Sequence, residues 1–160
     1  MIAIVVAHAS NGTIGSAGAL PWRLPSDMRH FRELTTGGTV LMGRRTYESL
    51  PDSFRPLPGR RNLVLSSRAS FAPPGAEAFG DLGSALTACA HDCFVIGGEL
   101  TYREALPLAE RVHATEIDAQ VEGDTHFPAL DRERWRSVER GEPLHENGYG
   151  FRFCVYERAR

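Results

Sequence analysis

The sequence predicts an α/β fold: one domain, a mixed and mostly parallel central β-sheet flanked by helices, and antiparallel strands at its C-terminal edge. Three observations lead there. The chain has 160 residues, one domain's length with room for a sizeable core. Short, nearly continuous apolar runs ending at Gly or Ser read as strands covered on both faces, and helical patterns separate them. Beyond residue 110 that alternation stops and only strand-like runs follow, so the last part of the sheet is expected to pair antiparallel. The domain is expected to span residues 1–160.

Residues 2–8 (IAIVVAH) form the first predicted strand. A 16-residue connection, 9–24, follows, punctuated by Gly12, Gly15, Gly18 and Pro21. A link of that length is usually functional or disordered. Its glycines are spaced GxxGxxG, not GxGxxG, so no dinucleotide fingerprint is claimed. Residues 25–35 read as a helix opened by Pro25. On its wheel Leu24, Met28, Phe31 and Leu34 make an apolar stripe, and Asp27 falls inside it. Arg29, His30, Arg32 and Glu33 take the outer face. Asp27 is either a first-turn acid favoured by the helix dipole or a partly buried carboxyl with a raised pKa at a cleft mouth.

Residues 39–43 form the next strand and 44–50 the next helix, with Gly43-Arg44-Arg45-Thr46 at the junction. Two arginines in a first helical turn oppose the dipole. They are either a solvated pair or the arms of an anion site. The Pro-rich loop 51–60 leads to strand 61–66, which ends in Ser66-Ser67-Arg68. Helix 82–90, strand 93–97, the turn Ile96-Gly97-Gly98-Glu99 and helix 99–107 complete the alternating part. Strands are expected at 111–118, 134–140 and 150–158. Three strand ends suited to anions favour a nucleotide carrying several phosphates, bound at the carboxyl ends of the strands.

Composition narrows the chemistry. Hydrophobic residues are 42%, charged residues 24% and the net charge is −2, so no basic field points to nucleic acid. No apolar run has the roughly 18 residues of a membrane helix, and the N-terminus is expected to be strand rather than signal peptide. All 18 basic residues are Arg, which excludes Schiff-base and phosphate-loop lysines. Cys89, Cys93 and Cys154 suggest a reduced, cytoplasmic protein. Cys89-Ala90-His91-Asp92-Cys93 lacks the second ligand pair of a structural zinc site, and no metal is expected.

Taken in order, several segments resemble dihydrofolate reductases of the bacterial chromosomal type. They are Ile14-Gly15; Leu20-Pro21-Trp22-Arg23-Leu24-Pro25 with Asp27 and Phe31; Met42-Gly43-Arg44-Arg45-Thr46; Leu57-Pro58-Gly59-Arg60-Arg61-Asn62; Leu65-Ser66-Ser67; Val95-Ile96-Gly97-Gly98; and Glu122-Gly123-Asp124-Thr125-His126-Phe127-Pro128. The resemblance covers residues 1–158. It implies NADPH-dependent reduction of 7,8-dihydrofolate, with hydride passing from the nicotinamide to pterin C6 and N5 protonated through a water. Asp27, supported by Thr115, would be the ionisable group of the pterin pocket, and Trp22 would order the water. Val5, Met28, Phe31, Leu57 and Ile96 would line the folate cleft. Arg60 would fork onto the glutamate α-carboxylate, with Arg55 also on the substrate side. Ala7, Ile14, Gly15 and Leu20 would meet the nicotinamide. Arg45 and Thr46, with Gly97, Gly98, Glu99, Leu100, Thr101 and Tyr102, would hold the pyrophosphate. Arg44, Ser66, Ser67 and Arg68, beside Gly43 and Leu65, would surround the 2′-phosphate.

Four departures stand out: Glu99 where a third Gly is common, Leu100 where some relatives carry Arg, Leu20 where Met is frequent, and a slightly longer loop at 51–54. Glu99 is expected either to point to solvent or to weaken the cofactor site. The partners implied are dihydrofolate and antifolate inhibitors, acting on a monomer. A riboflavin-pathway pyrimidine reductase of the same fold, and a non-catalytic folate or nucleotide binder, are the competing readings.

Overall fold

A computed structural model describes residues 1–15 and 20–160. Eleven strands and four α-helices follow one another along the described chain. They are β1 (Ile2–Ala9), β2 (Thr13–Gly15), α1 (Pro25–Thr35), β3 (Thr39–Gly43), α2 (Arg44–Ser49), β4 (Arg61–Leu65), β5 (Glu77–Phe79), α3 (Leu82–Ala88), β6 (Cys93–Val95), α4 (Glu99–Ala105), β7 (Arg111–Ile117), β8 (Thr125–His126), β9 (Trp135–Arg140), β10 (Leu144–Glu146) and β11 (Tyr149–Arg158). Single 3₁₀ turns at Asp52–Phe54 and Leu106–Leu108 fill two connections.

The main sheet runs β10-β11-β7-β1-β6-β3-β4-β5, with β9 also paired to β11. From β7 to β5 every pairing is parallel. β11 runs antiparallel to β7, β9 and β10. The mixed, mostly parallel sheet and its antiparallel C-terminal edge are therefore as expected. The sequence reading lacked β2, β5, β8 and β10. Each has two or three residues, too short for an alternation to register.

The pleat divides the core. Leu41 and Leu63 join the larger cluster with Ile4, Val95, Tyr102 and Val112. Their neighbours Val40, Met42 and Val64 face the other side with Tyr47 and Leu57, as side chains of a buried parallel strand alternate. A third cluster packs Trp22 and Leu24 against Ala9, Ile117 and Phe151, seating the start of α1 on the β1–β7–β11 part of the sheet. Because β1, β3, β4, β6 and β7 run the same way, their carboxyl ends share one edge. The segments leaving that edge carry Asp27, the Gly43–Thr46 junction, Ser66 to Arg68 and the Gly97–Gly98 turn, whereas Arg55, Leu57 and Arg60 lie on the connection that enters β4 from the opposite edge.

Among the described residues no helix is long and apolar enough to cross a membrane.

Candidate active site

α1 brings Asp27 to β7. The Thr115 hydroxyl donates to Asp27 Oδ1 at 2.6 Å. Thr115 is 4% exposed and lies opposite Ala7 of β1 and Phe153 of β11 in the register. The Asp27 carboxyl is held above the ordinary aspartate range, chiefly by burial, while the Thr115 bond and His30 oppose the rise and Glu146 adds to it. Desolvation disfavours the anion and so leaves a carboxyl able to hold a proton closer to neutral pH. Asp27 stands in the first turn of α1 and its carboxyl is also largely withdrawn from water against β7, so the two features read from the sequence coexist. Tyr102, from α4, also senses the Asp27 charge.

The outer-face placement of His30 needs correction. Its ring stacks on Phe153 with centroids 4.0 Å apart, because β11 lies over that flank of the helix. Phe31 and Leu34 are half-buried, whereas Met28 is 61% exposed. The apolar stripe is thus not all core: at Met28 it faces outward. Trp22 is 6% exposed, and its indole Nε1 has no acceptor among the described residues. Leu20 is exposed and Val5 buried; Ala7, Ile14, Gly15 and Ile96 are half-buried. Gly15 lies on β2, where its carbonyl accepts from the Asp124 N–H at 3.1 Å. A Cβ at Gly123 would collide with that carbonyl and with Thr13. Ser16 to Ala19, including the predicted Gly18, lie outside the described residues.

The loop 51–60 is braced from within. Buried Asn62 accepts from the Leu57 N–H at 2.9 Å and donates to the carbonyls of Leu57 and Arg60 at 3.1 and 2.9 Å. Arg60 is fixed beside α1: Nε donates to the Pro58 carbonyl at 2.9 Å, Nη1 donates to Thr35 Oγ1 at 3.1 Å, and the guanidinium carbon lies 5.8 Å from the Phe31 ring centre. Burial and the nearby Arg32 both disfavour its charged form. Arg55 behaves differently. It pairs with Asp52 at 2.6 Å and donates to the Glu48 carbonyl, so its guanidinium is engaged by its own loop and by the end of α2.

At the shared edge, the Gly43 N–H donates to the Gly97 carbonyl at 2.9 Å, and Gly97 and Gly98 are joined by a cis peptide bond. Gly97 has φ +135°, which only glycine adopts readily. A Cβ on either Gly97 or Gly98 would lie 3.3 Å from the Thr46 hydroxyl, and one on Gly43 would lie 3.1 Å from that of Thr101. Three glycines thus leave backbone bare around two hydroxyls, a cradle that side chains would fill, and this fits a group needing close backbone approach. Arg44 and Arg45 open α2 as expected. Arg44 pairs with Glu48 at 2.6 Å, which offsets part of the conflict with the dipole. Arg45 is exposed. Leu65 and Ser66 are half-buried, Ser67 and Arg68 exposed, and Ser66 Oγ accepts from the Arg68 N–H. A cavity of about 600 Å³ on that flank is lined by Tyr47, Glu48, Asp52, Arg55, Arg68 and Phe71 among others. Neither Asp27 nor Thr115 lines it.

Two α4 residues expected at the cofactor site are held by contacts within the protein. The Glu99 carboxylate does not point freely to solvent: it accepts from the His126 backbone N–H at 2.6 Å, tying α4 to β8. Tyr102 is buried and its hydroxyl donates to the Val5 carbonyl at 2.8 Å, a structural bond between α4 and β1. Leu100 is 70% exposed. Among the described residues no three His, Cys, Asp or Glu side chains gather as a metal site would need.

The family model for dihydrofolate reductase matches residues 1–158. The chain belongs to the dihydrofolate reductase family. It is 47% identical to the dihydrofolate reductase of Mycobacterium tuberculosis over 163 aligned residues, covering 99% of each. It is 42% identical to that of Neisseria meningitidis, covering 98% of each, and 44% identical to dihydrofolate reductase type 3 of Salmonella typhimurium, covering 100% of this chain and 99% of that one. Among solved structures, the Enterococcus faecalis dihydrofolate reductase complexed with NADP(H) and RAB-propyl superposes with a TM-score of 0.90 at 30% identity, covering 100% of this chain and 97% of that one.

Proposed function

We propose that this chain reduces 7,8-dihydrofolate to 5,6,7,8-tetrahydrofolate with NADPH. One observation carries the reading: the site's apolar wall holds one carboxyl, Asp27, desolvated and bonded to the buried Thr115 hydroxyl. A carboxyl so placed can accept the amino and N3 hydrogens of a pterin ring and favour a protonated substrate. Val5, Phe31, Leu57 and Ile96 would shape the apolar part of the cleft, with Met28 at its exposed lip. Arg60 would pair with the glutamate α-carboxylate, a geometry suited to a guanidinium fork. The Trp22 indole N–H would donate to the water that brings the proton to N5. Bound NADPH would supply the hydride for pterin C6. The Gly43–Gly97–Gly98 cradle with Thr46, Thr101 and Arg45 would hold the pyrophosphate. Arg44, Ser66, Ser67 and Arg68 would face the 2′-phosphate, Arg44 leaving Glu48 to do so, while Ala7, Ile14, Gly15 and Leu20 would flank the nicotinamide. Glu99, Leu100 and Tyr102 would contribute backbone only. A monomer working in the cytoplasm, open to antifolate inhibitors, completes the proposal.

The family match does not favour the pyrimidine-reductase reading or the binding-only reading. The test is NADPH consumption with dihydrofolate or a riboflavin-pathway pyrimidine as sole acceptor. Turnover with dihydrofolate alone is expected. Turnover with the pyrimidine alone, or with neither, would reject the proposal.

A further inference from the structure

The N-terminus of α1 presents an unusual set of donors. Pro25, its first residue, has no N–H. The N–H groups of Asp27 and Met28 both reach the Leu24 carbonyl, at 3.0 and 3.1 Å. Leu24, the N-cap, has no side-chain oxygen to offer. The Ser26 N–H is the donor left over, and an unsatisfied donor at a helix start is costly. It is met from 120 residues away: Glu146, at the end of β10, accepts from Ser26 N at 3.0 Å, and its other oxygen accepts from the Ser26 hydroxyl. Neighbouring residues of the same turn reinforce the contact. Asn147 Nδ2 donates to the Arg23 carbonyl at 2.8 Å, and the Tyr149 hydroxyl to that of Pro21 at 3.5 Å. The Ser26 bonds and Arg29 hold Glu146 below the ordinary glutamate range. It therefore stays an anion at neutral pH, where the positive end of the helix dipole favours one.

That anion caps the residue adjacent to Asp27. Resting on the proposed role of Asp27, we propose that Glu146 is a positioning residue: it completes α1 from across the fold and supplies the negative charge that helps Asp27 keep a proton. The groups acting on Asp27 come from each element around it. His30, one turn along α1, and the Thr115 hydroxyl of β7 favour the anion, whereas Glu146 of β10 opposes it. Tyr102 of α4 stays protonated beside it. Burial does most to outweigh Thr115 and His30, and Glu146 adds to it in the same direction.

The test uses the full chain with Glu146→Gln, Glu146→Ala, Ser26→Ala and Asp27→Asn. Two readouts are taken: the pH dependence of hydride transfer in single turnovers, and titration of Asp27 by carbon NMR with labelled aspartate, assigned by difference from Asp27→Asn. Gln keeps an oxygen for the Ser26 N–H but removes the charge. It is expected to move both the descending limb of the rate profile and the Asp27 titration to lower pH, with little change in KM or Tm. Ser26→Ala retains the backbone bond and should leave both in place. Glu146→Ala loses bond and charge and should also lower Tm. If neither readout moves in Glu146→Gln, Glu146 is a cap and nothing more, and the proposal is overturned. If the NMR titration moves but Asp27→Asn keeps the descending limb, the action of Glu146 on Asp27 stands and the proton role of Asp27 fails instead.

Discussion

Arg60→Ala separates a ligand clamp from a structural arginine. The guanidinium is anchored by the Pro58 carbonyl and Thr35 Oγ1 and lies beside the Phe31 ring. Among the described residues no carboxylate pairs with it, and Arg32 beside it raises the cost of its charge. A cation held in that way gains most from an arriving carboxylate. Truncation leaves the substrate's partly desolvated carboxylate unpaired, worth about 2–4 kcal/mol, or roughly 30- to 1,000-fold in Kd. Fluorescence titration with folate should show that loss. A small diaminopyrimidine inhibitor, which has no glutamate tail, and NADPH should bind the variant almost as the wild type. Arg60→Lys should recover only part, since an ammonium cannot offer two parallel donors. Equal losses for folate and the tail-less inhibitor would mean that Arg60 merely braces α1 through Thr35, and the reasoning would fail.

Other expectations concern stability and selectivity. Because Asp27 titrates above its unfolded value, the folded state holds the proton more tightly, and ionising Asp27 costs stability progressively as pH rises from the unfolded pKa through the folded one. Asp27→Asn should therefore raise Tm at neutral pH, with the gain disappearing below the ordinary carboxyl range; a neutral-pH variant less stable than wild type would contradict this. Asn62→Ala removes three bonds from a 1% exposed side chain and leaves the Leu57 N–H unmet, so denaturant melts should show a loss of about 2–4 kcal/mol and weakened folate binding. Replacing Arg44 and Arg68 together with Ala should reduce the preference for NADPH over NADH by roughly 1–3 kcal/mol, read as a change in the ratio of kcat/KM; an unchanged ratio would move the 2′-phosphate site elsewhere.

What the chain disclosed in advance depended on range. Asp27 within an apolar stripe, the arginines opening α2 and the glycines after β6 are local patterns, and the structure places each at the edge or helix face they implied. Met28 followed the same wheel yet faces outward, because a wheel gives direction and not what lies opposite. His30 was assigned to solvent for the converse reason: Phe153, 123 positions away, covers it. Glu99 reads as an anomaly beside a glycine pair until the His126 N–H is seen against it. The Glu146 cap and the Tyr102 bond to Val5 join residues that no window holds together, whereas the Asn62 brace reaches only two to five positions and went unread because nothing in the sequence marks that Asn as buried. Short β5 and β10 pair along the edges that β4 and β11 offer them.

If this cleft drives hydride to pterin C6, Asp27 governs the proton that accompanies it. The most direct test is a single turnover with NADPH deuterated at the reactive C4 position, dihydrofolate as acceptor, and pH varied, for wild type and Asp27→Asn. Tetrahydrofolate should carry deuterium at C6, and the wild-type rate should fall as pH rises. The variant should be slowed by about 10²-fold or more at neutral pH and recover toward acid, where substrate is already protonated. Deuterium absent from C6, or a variant matching the wild type at every pH, would contradict it.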